Sequence, residues 1–180
     1  MKESQLRKSI RLTDFNYSNT GYYYITICVK GMRLLLSNEP DKEGYAHPSL
    51  SAIGEIVEKA IENIPNIYES ISIDKYVIMP NHIHMIMSIE NESRSAMCAP
   101  TMECGCETLA TTAEGGRAMR APRISTVVNQ MKGYVTKQIG YYIWQKLYYD
   151  HVIRDEADYR RIWQYIDENP ARWHEDEYNT

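Results

Sequence analysis

No stretch of this 180-residue sequence stays apolar long enough to cross a bilayer. The longest apolar runs, such as 22–29, fall far short of the ~20 residues that a spanning helix needs. The first residues, Met1-Lys2-Glu3-Ser4-Gln5-Leu6-Arg7-Lys8, lack the apolar core of a secretory signal. Both absences point to the cytoplasm. Cysteine is scarce, and its placement excludes the standard zinc templates. Cys28 sits in an apolar run and reads as a buried thiol, while Cys98, Cys104 and Cys106 share one segment with no histidine between them. An excess of one charge is also missing. Lys and Arg number 20 against 24 Asp and Glu, a net charge of −4, which argues against indiscriminate coating of nucleic acid. The distribution is less even than the sum. From 115 to 137 there are five basic residues (Arg117, Arg120, Arg123, Lys132, Lys137) and no acidic one, and 155–177 carries much of the compensating acid.

Hydrophobic residues at 43% and charged residues at 24% describe an ordinary globular chain, and its length suits one domain spanning 1–180. The run Tyr22-Tyr23-Tyr24-Ile25-Thr26-Ile27-Cys28-Val29 is β-branched and aromatic without a breaker, and reads as a central strand. A helix follows from near Leu50, capped by Ser49 or Ser51, with Ile53, Ile56, Val57, Ala60, Ile61 and Ile64 at helical spacing and a stop at Pro65. Strands are expected at 71–79 and 82–89, joined by a turn at Pro80-Asn81. Residues 91–122 show no period and read as a flexible insertion. Helical spacing returns at Val127, Val128, Met131, Val135, Ile139 and Tyr142, then a strand is expected at 146–152 and a last helix at 156–169, ended by Pro170. The order β-α-β-β-α-β-α predicts an α+β, ferredoxin-like split βαβ sandwich: an antiparallel four-stranded sheet with two helices on one face, plus a C-terminal helix.

His82-Ile83-His84 is the sharpest feature. Side chains alternate along a strand, so both imidazoles share the face away from Ile83, Met85, Met87 and Ile89. Read alone, such a pair is two exposed or hydrogen-bonded strand histidines. The last helix supplies Tyr165 and Asn169 at i and i+4, on one face. Read alone, these are a packing tyrosine and a helix-ending residue before proline. With 15 tyrosines in the chain, a Tyr-x-x-x-Asn by itself carries little weight. Taken together, the pairs make chemical sense. A metal on His82, His84 and the amide oxygen of Asn169 polarises a phosphodiester, and a tyrosine one helical turn away attacks in line. Mixed imidazole and oxygen ligands suit Mg²⁺ or Mn²⁺. Tyr134, with Gln138 at i+4, is a rival nucleophile, but its apolar neighbours Met131, Val135 and Ile139 assign it to packing.

Three segments carry a resemblance: Tyr76-Val77-Ile78-Met79-Pro80-Asn81-His82-Ile83-His84, Trp144-Gln145-Lys146-Leu147-Tyr148-Tyr149-Asp150-His151-Val152-Ile153-Arg154, and Tyr165-Ile166-Asp167-Glu168-Asn169-Pro170. In this order the chain resembles the HUH single-tyrosine transposases, in particular the REP-associated tyrosine transposase branch. The resemblance implies binding of hairpin-forming single-stranded DNA and divalent-metal cleavage through a 5′-phosphotyrosine. It assigns the metal to His82, His84 and Asn169, and the nucleophile to Tyr165. DNA contacts are expected from Arg120, Arg123 and Lys132 on phosphate and from Trp144 on bases, with a homodimer as a further partner state. The competing readings are a replication-initiator-like nickase, a domesticated hairpin-DNA-binding protein without cleavage, and a metal-dependent hydrolase that uses water.

Overall fold

The structure is a computed structural model that describes residues 20–40, 48–90 and 122–179. Four strands, β1 (Gly21–Cys28), β2 (Ile71–Ile78), β3 (His82–Ile89) and β4 (Tyr149–Ile153), form one antiparallel sheet in the order β2-β3-β1-β4. The helices are α1 (Ala52–Glu62), α2 (Ile64–Ile67), α3 (Ile124–Ile139) and α4 (Glu156–Glu168). This is the expected ferredoxin-like arrangement with an added C-terminal helix. Of the expected insertion at 91–122, all but Pro122 lies outside the described residues.

Alternation decides which face each strand residue serves. Tyr23, Ile25 and Ile27 of β1, with Ile83, Met85, Met87 and Ile89 of β3, pack against Val57 and Ile61 of α1 and Val127, Val128, Met131 and Val135 of α3. Each such side chain removed from water contributes about 1.5–3 kcal/mol. The opposite face is covered by α4, where Ile162 and Ile166 meet Val77, Met79, Ile86, Ile153 and Trp173. With helices on both faces, all eight residues of β3 are buried.

Local chemistry sets the element ends. Ser51 caps α1 by accepting from the Gly54 N–H at 3.1 Å. Pro65 does not end the helical path; it lies in the first turn of α2, where the missing N–H costs nothing. Helix α3 starts at Ile124 and ends at Gly140, whose φ of 81° is the left-handed turn that glycine favours. Tyr142 therefore lies beyond the helix, and β4 begins at Tyr149, not at Lys146. A register shift in β2 between Ile73 and Lys75 lets Asp74 accept hydrogen bonds from Ser88 (3.1 Å) and from the Tyr159 hydroxyl of α4 (2.9 Å). Lys75 pairs with Asp167 at 2.5 Å, so β2 holds α4 near both ends. No helix among the described residues is long and apolar enough to cross a membrane.

Candidate active site

The register of the sheet places the histidine pair. His82 lies opposite Cys28 and His84 opposite Thr26, so both point to the α4 side, at the centre of the sheet. Along that side α4 and the following segment run over the strand: Tyr159 contacts Tyr22 (5.1 Å between ring centroids), Tyr165 contacts His84 (5.3 Å), and Trp173 contacts His82 (6.1 Å). The expected partners His84 and Tyr165 are thus brought together.

Both imidazoles are fully buried, and their Nδ1 atoms are occupied. Asn81 Oδ1 lies 2.8 Å from His82 Nδ1, and a carbonyl oxygen only accepts, so that nitrogen carries the proton. His84 Nδ1 has two hydroxyls, Tyr24 at 2.7 Å and Thr26 at 2.9 Å. The Nε2 atoms of both rings are buried without a partner. Burial lowers the His82 pKa to about 4, against an opposing pull from Asp176. Burial, and then the charge of His82, drives His84 well below the ordinary range. Both rings are neutral at pH 7, with side-chain partners of the kind that orient metal-ligating histidines.

A third donor comes from an unexpected place. Asp176, just after a short 3₁₀ turn at Trp173–Glu175, puts a carboxylate oxygen 3.8 Å from His82 Nε2. His82, His84 and Asp176 offer ligand atoms all within 4.8 Å of one another, an arrangement that can hold a metal ion. Asn169, the sequence-expected third ligand, is buried at the end of α4 and donates from Nδ2 to Asp176 Oδ2 at 2.9 Å, while its Oδ1 has no partner. Two orphaned buried imidazole nitrogens and one carboxylate fit a divalent cation, and the orphaned Oδ1 of Asn169 belongs to the side chain that bonds that carboxylate. Tyr178 completes the wall. Its ring lies 4.6 Å from that of His82, and its backbone carbonyl accepts from Asn81 Nδ2 at 2.7 Å.

Tyr165 is 39% exposed and opens onto a cleft of about 710 Å³ lined also by Tyr24, Thr26, Tyr149, His151 and Arg161. Burial and the charges of Asp176 and Glu177 push its phenol up to about 12, partly offset by Asn169 and Tyr24. His151 bonds Asp158 at 2.7 Å, and Asp158 also takes Arg161 at 2.5 Å. The rival Tyr134 lies on α3, on the other side of the sheet, and is exposed rather than packed into the core.

The expected DNA contacts fare differently. Lys132 and Trp144 are buried, so neither side chain is offered to a ligand at the surface. Lys132 Nζ donates to the carbonyls of Gln145 (3.0 Å) and Leu147 (3.3 Å), and Trp144 Nε1 donates to the Lys132 carbonyl at 3.2 Å. Arg123 is exposed at the start of α3, and Arg120 lies outside the described residues. Sequence reasoning missed Asp176, Tyr178 and the orienting role of Asn81. The run Trp173-His174-Glu175-Asp176-Glu177-Tyr178 was the available signal.

No family model matches the chain. A solved structure of a REP-associated tyrosine transposase bound to a REP hairpin has the same fold, with a TM-score of 0.59 and 20% identity over 91% of this chain and 74% of that one. The chain therefore shares the fold of that structure. An uncharacterized protein of Haemophilus influenzae is 32% identical over 182 residues, covering 95% of this chain and 92% of that protein. The chain belongs to the same family as that protein.

Proposed function

We propose that this protein is a metal-dependent, single-stranded DNA transposase that cleaves and rejoins DNA next to REP-like hairpins through Tyr165. One observation carries the reading: two neutral, buried imidazoles present unpartnered Nε2 atoms toward one carboxylate, with the Tyr165 ring against the second of them. The fold shared with a transposase bound to a REP hairpin supports the choice of DNA.

His82, His84, Asp176 and the Oδ1 of Asn169 would hold Mg²⁺ or Mn²⁺, which supplies Lewis-acid polarisation of a phosphodiester. Tyr24, Thr26 and Asn81 keep the two rings oriented. The Tyr165 phenol attacks phosphorus, giving its proton to solvent, which in turn protonates the leaving 3′ oxygen. The Oη–P bond forms as the bond to the 3′ oxygen breaks, that oxygen leaves as a hydroxyl, and a 5′-phosphotyrosine remains. A second 3′ hydroxyl reverses the step and joins a new strand. Burial, then the charges of Asp176 and Glu177, pushes the phenol up to about 12, and a cation held beside it would favour the phenolate.

The test is denaturing electrophoresis of the protein with an end-labelled hairpin carrying single-stranded flanks, in Mn²⁺ or Mg²⁺. The expected result is a covalent adduct that maps to Tyr165. Hairpin binding with no adduct on any tyrosine would make the protein a DNA-binding protein instead.

A further inference from the structure

Two groups of cations contrast. Those of α4 are neutralised: Arg160 pairs with Glu156, Arg161 with Asp158 and Arg172, just beyond the helix, with Glu168. Past the end of β1 the pattern changes. Lys30, Arg33, Lys137 and Lys146 are all exposed, and among the described residues none has an acidic partner. The sequence explains this, since 29–38 and 123–149 contain no Asp or Glu.

Two segments distant in the chain meet to form this surface. The Lys30 N–H donates to the Ile143 carbonyl at 2.7 Å, the Gln145 N–H donates to the Cys28 carbonyl at 2.8 Å, and Val29 bridges Trp144. Gln145 Nε2 reaches Met32 Sδ at 3.5 Å, and Arg33 folds back onto the Lys30 carbonyl. Between Lys137 and Lys146 the chain exposes Tyr141 and Tyr142, each by about half. The surface adjoins the histidine pair through Asn81, which accepts from the Val29 N–H at 2.8 Å, donates to the Met32 carbonyl at 3.4 Å and holds His82 Nδ1.

Uncompensated cations interleaved with exposed aromatic rings suit a nucleic acid with unpaired bases. The cations neutralise phosphates, and the rings stack on bases. We propose that Lys30, Arg33, Lys137 and Lys146, with Tyr141 and Tyr142, form the surface on which the hairpin DNA docks. This surface replaces the expected contacts of Lys132 and Trp144. The proposal rests on the reading of the protein as a hairpin-DNA enzyme.

The experiment measures hairpin affinity by fluorescence anisotropy as salt rises, for the full chain and for a variant carrying Lys30→Gln, Arg33→Gln, Lys137→Gln and Lys146→Gln. Losing four phosphate contacts should flatten the slope of log affinity against log salt by roughly 3–4, so that a fourfold rise in salt costs the variant on the order of 100-fold less affinity than it costs the wild type. Tyr141→Ala with Tyr142→Ala should weaken binding about tenfold or more and leave the slope alone. Removing two exposed cations elsewhere, Lys59→Gln with Arg154→Gln, should change neither. A fourfold variant that keeps the wild-type slope overturns the proposal. So does a variant that loses binding to anionic phospholipid vesicles while its hairpin binding persists. The readings separate cleanly. Steep binding without any covalent adduct removes the strand-transfer function and leaves the surface standing. An adduct together with an unchanged slope removes the surface alone, and a wild type that binds no hairpin removes both.

Discussion

Asn169 donates a hydrogen from Nδ2 to Asp176 Oδ2 across 2.9 Å, and this contact decides which way the amide faces. A carboxylate accepts and does not donate, so the nitrogen must point at Asp176 and Oδ1 must point away, where it is buried without a partner. Asp176 is thus both a candidate ligand and the group that fixes the orientation of the Asn169 amide. Asp176→Asn removes the charge and frees the amide to flip. Its affinity for Mn²⁺, read by isothermal titration, should fall about 10–100-fold. Wild-type affinity in this variant would take Asp176 out of the site.

Tyr165→Phe deletes one oxygen and keeps the ring against His84 and Tyr24. The variant should melt within about 0.5 kcal/mol of wild type, as surface substitutions usually do. It should bind the hairpin normally, yet form no covalent adduct. Tyr134→Phe, on the other side of the sheet, should retain adduct formation. An adduct mapped to Tyr134 would transfer the nucleophile to α3.

Acid should unfold the metal-free protein through its histidines. His82 is held at about 4 in the fold against an ordinary 6.5. Between these values the unfolded chain binds the extra proton, so stability rises with pH across that window and is lost as pH falls toward 4. His84, also driven down by burial, acts in the same direction. Urea unfolding in the presence of a chelator should show this slope, and His82→Gln should make it shallower. An unaltered slope would mean that other groups set the acid limb.

Gly54→Ala runs against helix propensity. Alanine usually stabilises a helix relative to glycine by about 1 kcal/mol. Here a Cβ would sit 1.9 Å from the Leu36 carbonyl oxygen, a backbone atom of the segment that Ser51 also holds. The helix would have to move away from that segment. Thermal unfolding should show a loss of about 1–3 kcal/mol, the usual cost of overpacking. A stabilised variant would contradict the close approach.

Much of this architecture was legible from residue periods. The β-branched and aromatic run of β1 and the strict alternation of β3 assign every side chain to a face, and that alternation alone places His82 and His84 together. Tyr165 and Asn169 follow from helical phase. Lys132 falls in step with Val128, Met131 and Val135, on the buried face of α3, so its helical phase, and not its charge, decides where it sits. Asp176 and Tyr178 had no period to betray them. They lie past the last helix, and contacts with Asn169 and Asn81, distant in sequence or hidden behind a proline, bring them to the histidines. Their acidic neighbours looked like charge balance.

The complete burial of β3 gives the site two unequal halves. His82 and His84 hang from an inner strand, bonded to β1 and β2 along its length, so their amides should exchange with deuterium only when the whole domain opens. The segment bearing Asp176 and Tyr178 belongs to no strand and is held by side-chain bonds to Asn169 and Asn81, by short 3₁₀ turns and by the buried Trp173. One half of the donor set is therefore as durable as the domain itself, while the other half rests on a few contacts of its own.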